Sequence, residues 1–239
     1  MLEVRDITFR WQNNGAGVLN GASFNLAEGE TVGIMGPSGC GKSTLARILT
    51  GHFPLQNGSI LLDGKPLPTQ GVHPLQLVMQ HAELALNPRW RVGQSLREGW
   101  QPDDETIARF GIRPEWLERY PHELSGGENQ RIAIVRALIP GIRGLVADEL
   151  TTMHDPITQV QIWRNLQATL RERKVAMIAI SHDEALLKAL NARVLRLHAG
   201  KFAAGAGAGA GAADCAATAS CCPSSADKHP HQATGGSAH

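Results

Sequence analysis

The stretch Gly36-Pro37-Ser38-Gly39-Cys40-Gly41-Lys42-Ser43-Thr44 lies between the apolar run Thr31–Met35 and a segment of helical character that begins near Lys42. Gly36, Gly39 and Gly41 carry no Cβ, so the backbone can curl and turn its N–H groups inward. The start of the following helix adds the positive end of its dipole. That order of strand, glycine-rich loop and helix is a phosphate-binding loop. The Lys42 ammonium then reaches the β- and γ-phosphates of a nucleotide, and the Ser43 hydroxyl holds Mg2+, whose other ligands are phosphate oxygens and water.

Other residues offer parts that nucleotide hydrolysis needs. Asp148 ends a hydrophobic run, where a carboxylate can hold Mg2+ through water, and Glu149 beside it can polarise an attacking water. His182 closes another apolar run and could contact the γ-phosphate; Gln80 could sense Mg2+ or the water. Leu124-Ser125-Gly126-Gly127-Glu128 presents a hydroxyl and bare backbone amides at a helix start, a second anion site. Trp11 follows Phe9 by two residues, at a strand end where its indole could stack on a purine or simply be half-buried.

These residues need elements to position them. Leu2–Phe9 and Val18–Leu26 read as strands joined by the turn signal Asn13-Asn14-Gly15, an antiparallel hairpin ahead of the strand at Thr31–Met35. Asn57-Gly58 and Asp63-Gly64 bracket a further hairpin, and Leu75–Met79 is a short strand ending at Gln80. From His81 to Leu138 the pattern predicts a mainly helical insertion, broken at Pro88, Pro102 and Pro114. Its last helix runs from Glu128 to Leu138, with Ser125 as N-cap. Leu145–Ala147 is a short buried strand. Pro156 starts a helix whose apolar face carries Ile157, Val160, Trp163, Leu166 and Leu170. Lys174–Ile180 is a buried parallel strand, followed by a helix at Glu184–Leu190 and a strand at Val194–Leu197. The fold class is α/β, a mostly parallel sheet with ligand groups at the carboxyl ends of its strands.

With 42% hydrophobic and 19% charged residues among 239, the chain can bury a globular core. A formal net charge of +1 gives no case for nucleic-acid binding or an electrostatic membrane anchor. The longest apolar stretch, Val175–Ile180, is too short to span a bilayer, and no secretory signal is apparent, so a cytosolic location is expected. After Phe202 the sequence turns to alanine and glycine, and residues 203–239 read as a disordered tail. Cys215, Cys221, Cys222, His229, His231 and His239 in that tail match no standard metal spacing.

Together these motifs resemble the ATP-binding cassette (ABC) family across residues 1–202, with Leu124–Glu128 the most specific signal. The resemblance implies a P-loop NTPase core with an N-terminal antiparallel β subdomain and a helical insertion at about 81–138. It implies ATP and Mg2+ as ligands, Trp11 as adenine platform, Gly36–Thr44 as Walker A, and Gln80 as the Q-loop residue. Leu124–Glu128 becomes the signature, Asp148 the Walker B acid, Glu149 the catalytic base, Asp155 the D-loop acid and His182 the switch histidine. It further implies two cassettes that sandwich two ATP molecules, each between one Walker A and the other's signature. Expected partners are transmembrane permease subunits, a second ABC ATPase subunit and, indirectly, an extracytoplasmic substrate-binding protein.

Leu86-Asn87-Pro88-Arg89, Val92-Gly93 and Asp155-Pro156-Ile157-Thr158-Gln159 look like the dipeptide, oligopeptide and nickel importer ATPases, a group that includes metal-opine importers. The expected place is thus the cytoplasmic face of a membrane, with Leu86, Trp90 and Val92 as part of the permease docking surface. An accessory ATPase for phosphonate breakdown and a soluble ABC ATPase are the alternatives. Departures from the family pattern are Leu150 in place of proline, Thr152-Met153-His154 before Asp155, and Arg143-Gly144, expected to interrupt the Walker B strand.

Overall fold

The computed structural model describes residues 1–11, 16–150 and 156–203. The expectations for Thr152, Met153, His154 and Asp155, and for the tail from residue 204 on, lie outside the described residues.

The strands are β1 (Leu2–Arg10), β2 (Gly17–Leu26), β3 (Thr31–Met35), β4 (Asn57–Leu62), β5 (Lys65–Pro66), β6 (Leu75–Val78), β7 (Gly144–Asp148), β8 (Ala176–Ile180), β9 (Arg193–His198) and β10 (Lys201–Phe202). The helices are α1 (Lys42–Leu49), α2 (Val92–Leu96), α3 (Asp104–Arg109), α4 (Gly126–Ala137), α5 (Pro156–Glu172) and α6 (Glu184–Ala189). One sheet is antiparallel with order β2-β1-β4-β5; the other has order β10-β9-β3-β8-β7-β6 and is parallel except for β10.

Strand alternation divides the second sheet's side chains between two cores. On β8, Ala176, Ile178 and Ile180 join the core shared with β1, β2 and α1, while Met177 and Ala179 join the core beneath α4 and α5. Burial on both faces is why β7 and β8 read as unbroken apolar runs.

The insertion is helical, but in short pieces. Beside α2, α3 and α4 it holds 3-10 turns at Ala82–Ala85, Pro114–Trp116 and Pro121–Glu123, the last two begun by proline, which suits a first turn because it has no N–H to satisfy. Leu86, Val92, Leu96, Phe110, Ile112 and Trp116 pack with Ile132 and Val135 of α4 into a core continuous with that of the sheet.

Several expectations change. Helix α4 starts at Gly126, not Glu128, because the cap at Ser125 fixes its first turn. Val160 is exposed, and the buried face of α5 instead includes Ile162 with Trp163, Leu166 and Leu170. Strand β8 starts at Ala176, since Lys174 has φ +54° and its N–H closes the end of α5 onto the Arg171 carbonyl. Gly144 does not interrupt the Walker B strand: it pairs with Leu75, and a Cβ there would lie 2.6 Å from Leu75 Cδ2. Arg143 stands just outside the strand, 3.1 Å from Asp63.

Candidate functional site

The parallel strands bring the separate motifs to one row. Ile34, Ile180 and Asp148 are level across β3, β8 and β7, and Val78 of β6 is level with Ala147. The ladder continues past the strand ends: Ser181 N–H donates to the Ile34 carbonyl at 3.3 Å, and Glu149 N–H to the Ile180 carbonyl at 3.0 Å. Gln80 follows the end of β6 by two residues. The residues after β3, β8, β7 and β6 are thus the phosphate-binding loop, Ser181-His182, Asp148-Glu149 and Gln80. They are far apart in sequence and adjacent in space.

Gly36 leaves β3 against β9, where a Cβ would sit 2.3 Å from the Leu197 carbonyl oxygen and 2.7 Å from Cys40 Sγ. Pro37, Ser38 and Gly39 are exposed; Gly39 has φ +77°, and Gly41, at the N-cap of α1, φ +107°. Lys42 is mostly buried, and its Nζ donates to the carbonyls of Gly36 (2.8 Å) and Pro37 (3.0 Å). Thr44, one residue past Ser43, is buried in the first turn of α1.

Ser43 hydrogen-bonds the Asp148 carboxylate. Burial pushes the Asp148 carboxyl above the usual carboxylate range; the Ser43 hydrogen bond opposes this, neighbouring Glu149 adds to it, and Arg47 and Lys42 oppose it. A hydroxyl and a carboxylate in contact are hard oxygen donors of the kind Mg2+ takes beside phosphate and water, so this pair fits the ion. Among the described residues no group of three or more His, Cys, Asp or Glu could hold a metal.

Glu149 has φ +48°, a left-handed conformation that costs a non-glycine residue about 1–2 kcal/mol. It turns the chain at the strand end and brings Oε1 to 3.9 Å from His182 Nδ1. The His182 side chain is 72% exposed and the Glu149 side chain 26%, so both face the open side of the row.

Ser125 and Glu128 form a reciprocal capping box. Ser125 Oγ accepts from Glu128 N–H at 3.3 Å, and the Glu128 carboxylate accepts from Ser125 N–H at 2.8 Å. Glu128 therefore has a partner within its own helix start, while Ser125 and Gly126 are exposed and Gly127 partly so. Asn129, buried, ties this start to the Pro121 carbonyl at 2.8 Å.

Trp11 lies near the opposite end of the loop. A Cβ on Gly41 would meet the Val18 carbonyl at 2.9 Å, and Phe9 and Arg10 pair with Leu19 and Gly17 across β1 and β2. Trp11 is 60% exposed just beyond Arg10. The docking expectation is corrected in part: Leu86 and Val92 are core residues, whereas Trp90 is partly exposed and Leu84 strongly so. Sequence reading missed Phe53, whose ring meets Trp11, Gln56, which holds the Arg10 backbone, and Arg47, whose guanidinium lies over the Phe53 ring; no local spacing marks them, because they come together through tertiary folding. No described helix is long and apolar enough to cross a membrane.

Residues 19–152 match the family described as ABC transporter. The chain is 36% identical over 198 residues to the oligopeptide transport ATP-binding protein OppF of Haemophilus influenzae, covering 74% of this chain and 60% of that protein. It is also 36% identical over 205 residues to the nickel import ATP-binding protein NikE of Rhodospirillum rubrum, covering 77% of this chain and 73% of that protein. Its fold is similar to that of cbiO1 from Clostridium perfringens, part of the ABC transporter complex cbiONQ, with TM-score 0.69 and 25% identity over 84% of this chain and 86% of that one.

Proposed function

The chain belongs to the ABC transporter family, and we propose that it is the ATP-binding and ATP-hydrolysing subunit of an importer for peptides, nickel or a metal-metallophore complex. The observation that carries this is the single row of strand ends joining the phosphate-binding loop, Asp148-Glu149, His182 and Gln80. The relatives' names point to import of peptides and nickel.

The chain's own groups divide the work. Backbone N–H groups of Ser38–Thr44 and the Lys42 ammonium hold the phosphates, the ammonium exchanging its two carbonyl partners for phosphate oxygens. Ser43 and Asp148 would hold Mg2+, with Gln80 as a further candidate, and the bound ion would neutralise phosphate charge. Glu149 accepts a proton from the attacking water, and His182, within 3.9 Å of it, orients toward the γ-phosphate. Ser125, Gly126 and Gly127 face outward and complete the site of a second cassette, identical or different, so that ATP occupancy and closure of the pair are one event. Permease subunits dock on the insertion, and the protein sits peripherally at the cytoplasmic face of the membrane. The substrate is selected by the permease and the extracytoplasmic binding protein.

The test is Glu149→Gln in the full chain. The expected result is hydrolysis slower by about 100- to 10,000-fold, with ATP retained and cassettes paired. Hydrolysis at the parent rate would remove Glu149 from its role. Co-purification of the parent with a permease supports an importer, and ATPase activity without any permease partner favours a soluble or phosphonate-linked ATPase.

A further inference from the structure

Trp11 is held from one side by a loop that belongs to another part of the chain. Its indole stands nearly perpendicular to Phe9 (centroids 5.3 Å, 88°) and to Phe53 (5.2 Å, 82°), and those two rings are almost parallel at 5.9 Å and 11°. Phe9 is buried, so it gives the cluster a fixed floor. Phe53 is fixed from the other direction. Its N–H and that of His52 both donate to the Arg47 carbonyl in the last turn of α1, at 3.1 and 2.8 Å, and the Arg47 guanidinium lies 5.6 Å from its ring centroid.

The backbone beside Trp11 is held by the same loop. The Gln56 side chain accepts from Arg10 N–H and donates to the Arg10 carbonyl, both at 2.8 Å, taking the place of a strand partner where β1 runs out of one. The helix whose N-terminus ends the phosphate-binding loop is therefore the helix whose C-terminal loop meets the Trp11 ring through Phe53 and holds the preceding Arg10 backbone through Gln56. An exposed tryptophan without such support would lose rotamer freedom on stacking; one already held loses less, and binds more tightly for it.

From this we infer that Phe53 and Gln56 are positioning residues that set the Trp11 indole as a platform for the base of the nucleotide, so that α1 places phosphate site and base platform relative to each other. The inference rests on the reading of this site as an ATP site. It predicts a selective effect. Weakening the support lowers affinity for ligands that carry a base and spares ligands that are phosphate alone.

The experiment compares ATP with tripolyphosphate by calorimetric titration on the full chain, with Mg2+ present. Phe53→Leu and Gln56→Glu are each expected to weaken ATP by roughly three- to tenfold, while tripolyphosphate stays at parent affinity. Phe53→Tyr, which keeps the ring, restores ATP affinity, and Phe53→Leu adds nothing in a Trp11→Ala background. If Trp11→Ala weakens ATP but Phe53→Leu and Gln56→Glu do not, the positioning role is overturned and the ATP site stands. Equal weakening of ATP and tripolyphosphate would overturn it too, since the residues would then be acting on the fold or the phosphate loop. Unchanged ATP affinity in Trp11→Ala overturns the platform itself, and a parent that binds neither ligand overturns the ATP-site reading beneath it.

Discussion

Replacing Gly36 with alanine adds one methyl group, and its surroundings set the cost. The new Cβ would lie 2.3 Å from the Leu197 carbonyl oxygen and 2.7 Å from Cys40 Sγ. The sulfur belongs to a side chain that can rotate away. The carbonyl cannot: Leu197 lies in β9, with Arg196 paired to Met35 of β3 and Leu197 itself paired to Phe202 of β10. Restoring an ordinary contact requires the loop to retreat by about 1 Å, and it would carry with it the Gly36 and Pro37 carbonyls that hold Lys42. Overpacking of this kind costs about 1–3 kcal/mol, which lowers the Tm of a domain of this size by roughly 2–12 °C. Displacing the groups that hold Lys42 and the phosphates weakens nucleotide binding as well. Thermal unfolding and ATP titration of Gly36→Ala and of Gly36→Ala/Cys40→Ala measure both effects. Cys40→Ala removes only the movable neighbour, so the double variant should bind ATP as poorly as the single one. Parent-like Tm and affinity in Gly36→Ala, or recovery in the double variant, would refute the steric reasoning.

Two more outcomes follow from the site's electrostatics and capping. Asp148 has a raised folded-state pKa, so its contribution to stability is full below the ordinary value of 3.8 and is lost as pH rises through the folded value. Asp148→Asn cannot ionise. Without nucleotide or Mg2+ it should therefore have the higher Tm at pH 7, with the gap closing as pH falls toward 3.8, while the stabilisation by ATP with Mg2+ is lost. A constant gap across that range would show that burial of the charge is not its cause. Ser125→Ala removes the acceptor for Glu128 N–H and should cost about 0.5–2 kcal/mol of stability, seen as a lower denaturation midpoint. Ser125→Asp keeps an N-cap acceptor and should restore that midpoint but not ATP-driven pairing of cassettes, whereas recovery of both would reduce Ser125 to a cap.

The loop Gly36–Thr44, the acids Asp148-Glu149 and the cap at Ser125 were legible because each is a local pattern: residue type and spacing within a few positions carry its chemistry. The same holds for β3 and α1, whose bounds follow from an apolar run, the glycines and the helix start at Lys42. Local signals misjudged what depends on neighbours distant in the chain. Leu86 and Val92 look like surface candidates by position, yet the short helices of the insertion turn them into its core. Gly144 looks like a break until Leu75 is seen filling the space where its side chain would be.

Chain order by itself, then, determined which groups exist and which local conformation each prefers. Tertiary structure decided which of them meet. Ile34, Asp148 and Ile180 share a row, with Glu149 and Ser181 continuing it, because parallel strands in register put residues far apart in sequence at one level, and no short-range preference encodes that register. The grip of Phe53 and Gln56 on Trp11 and Arg10 arises likewise, from two segments more than 40 positions apart brought together by burial around β1 and α1.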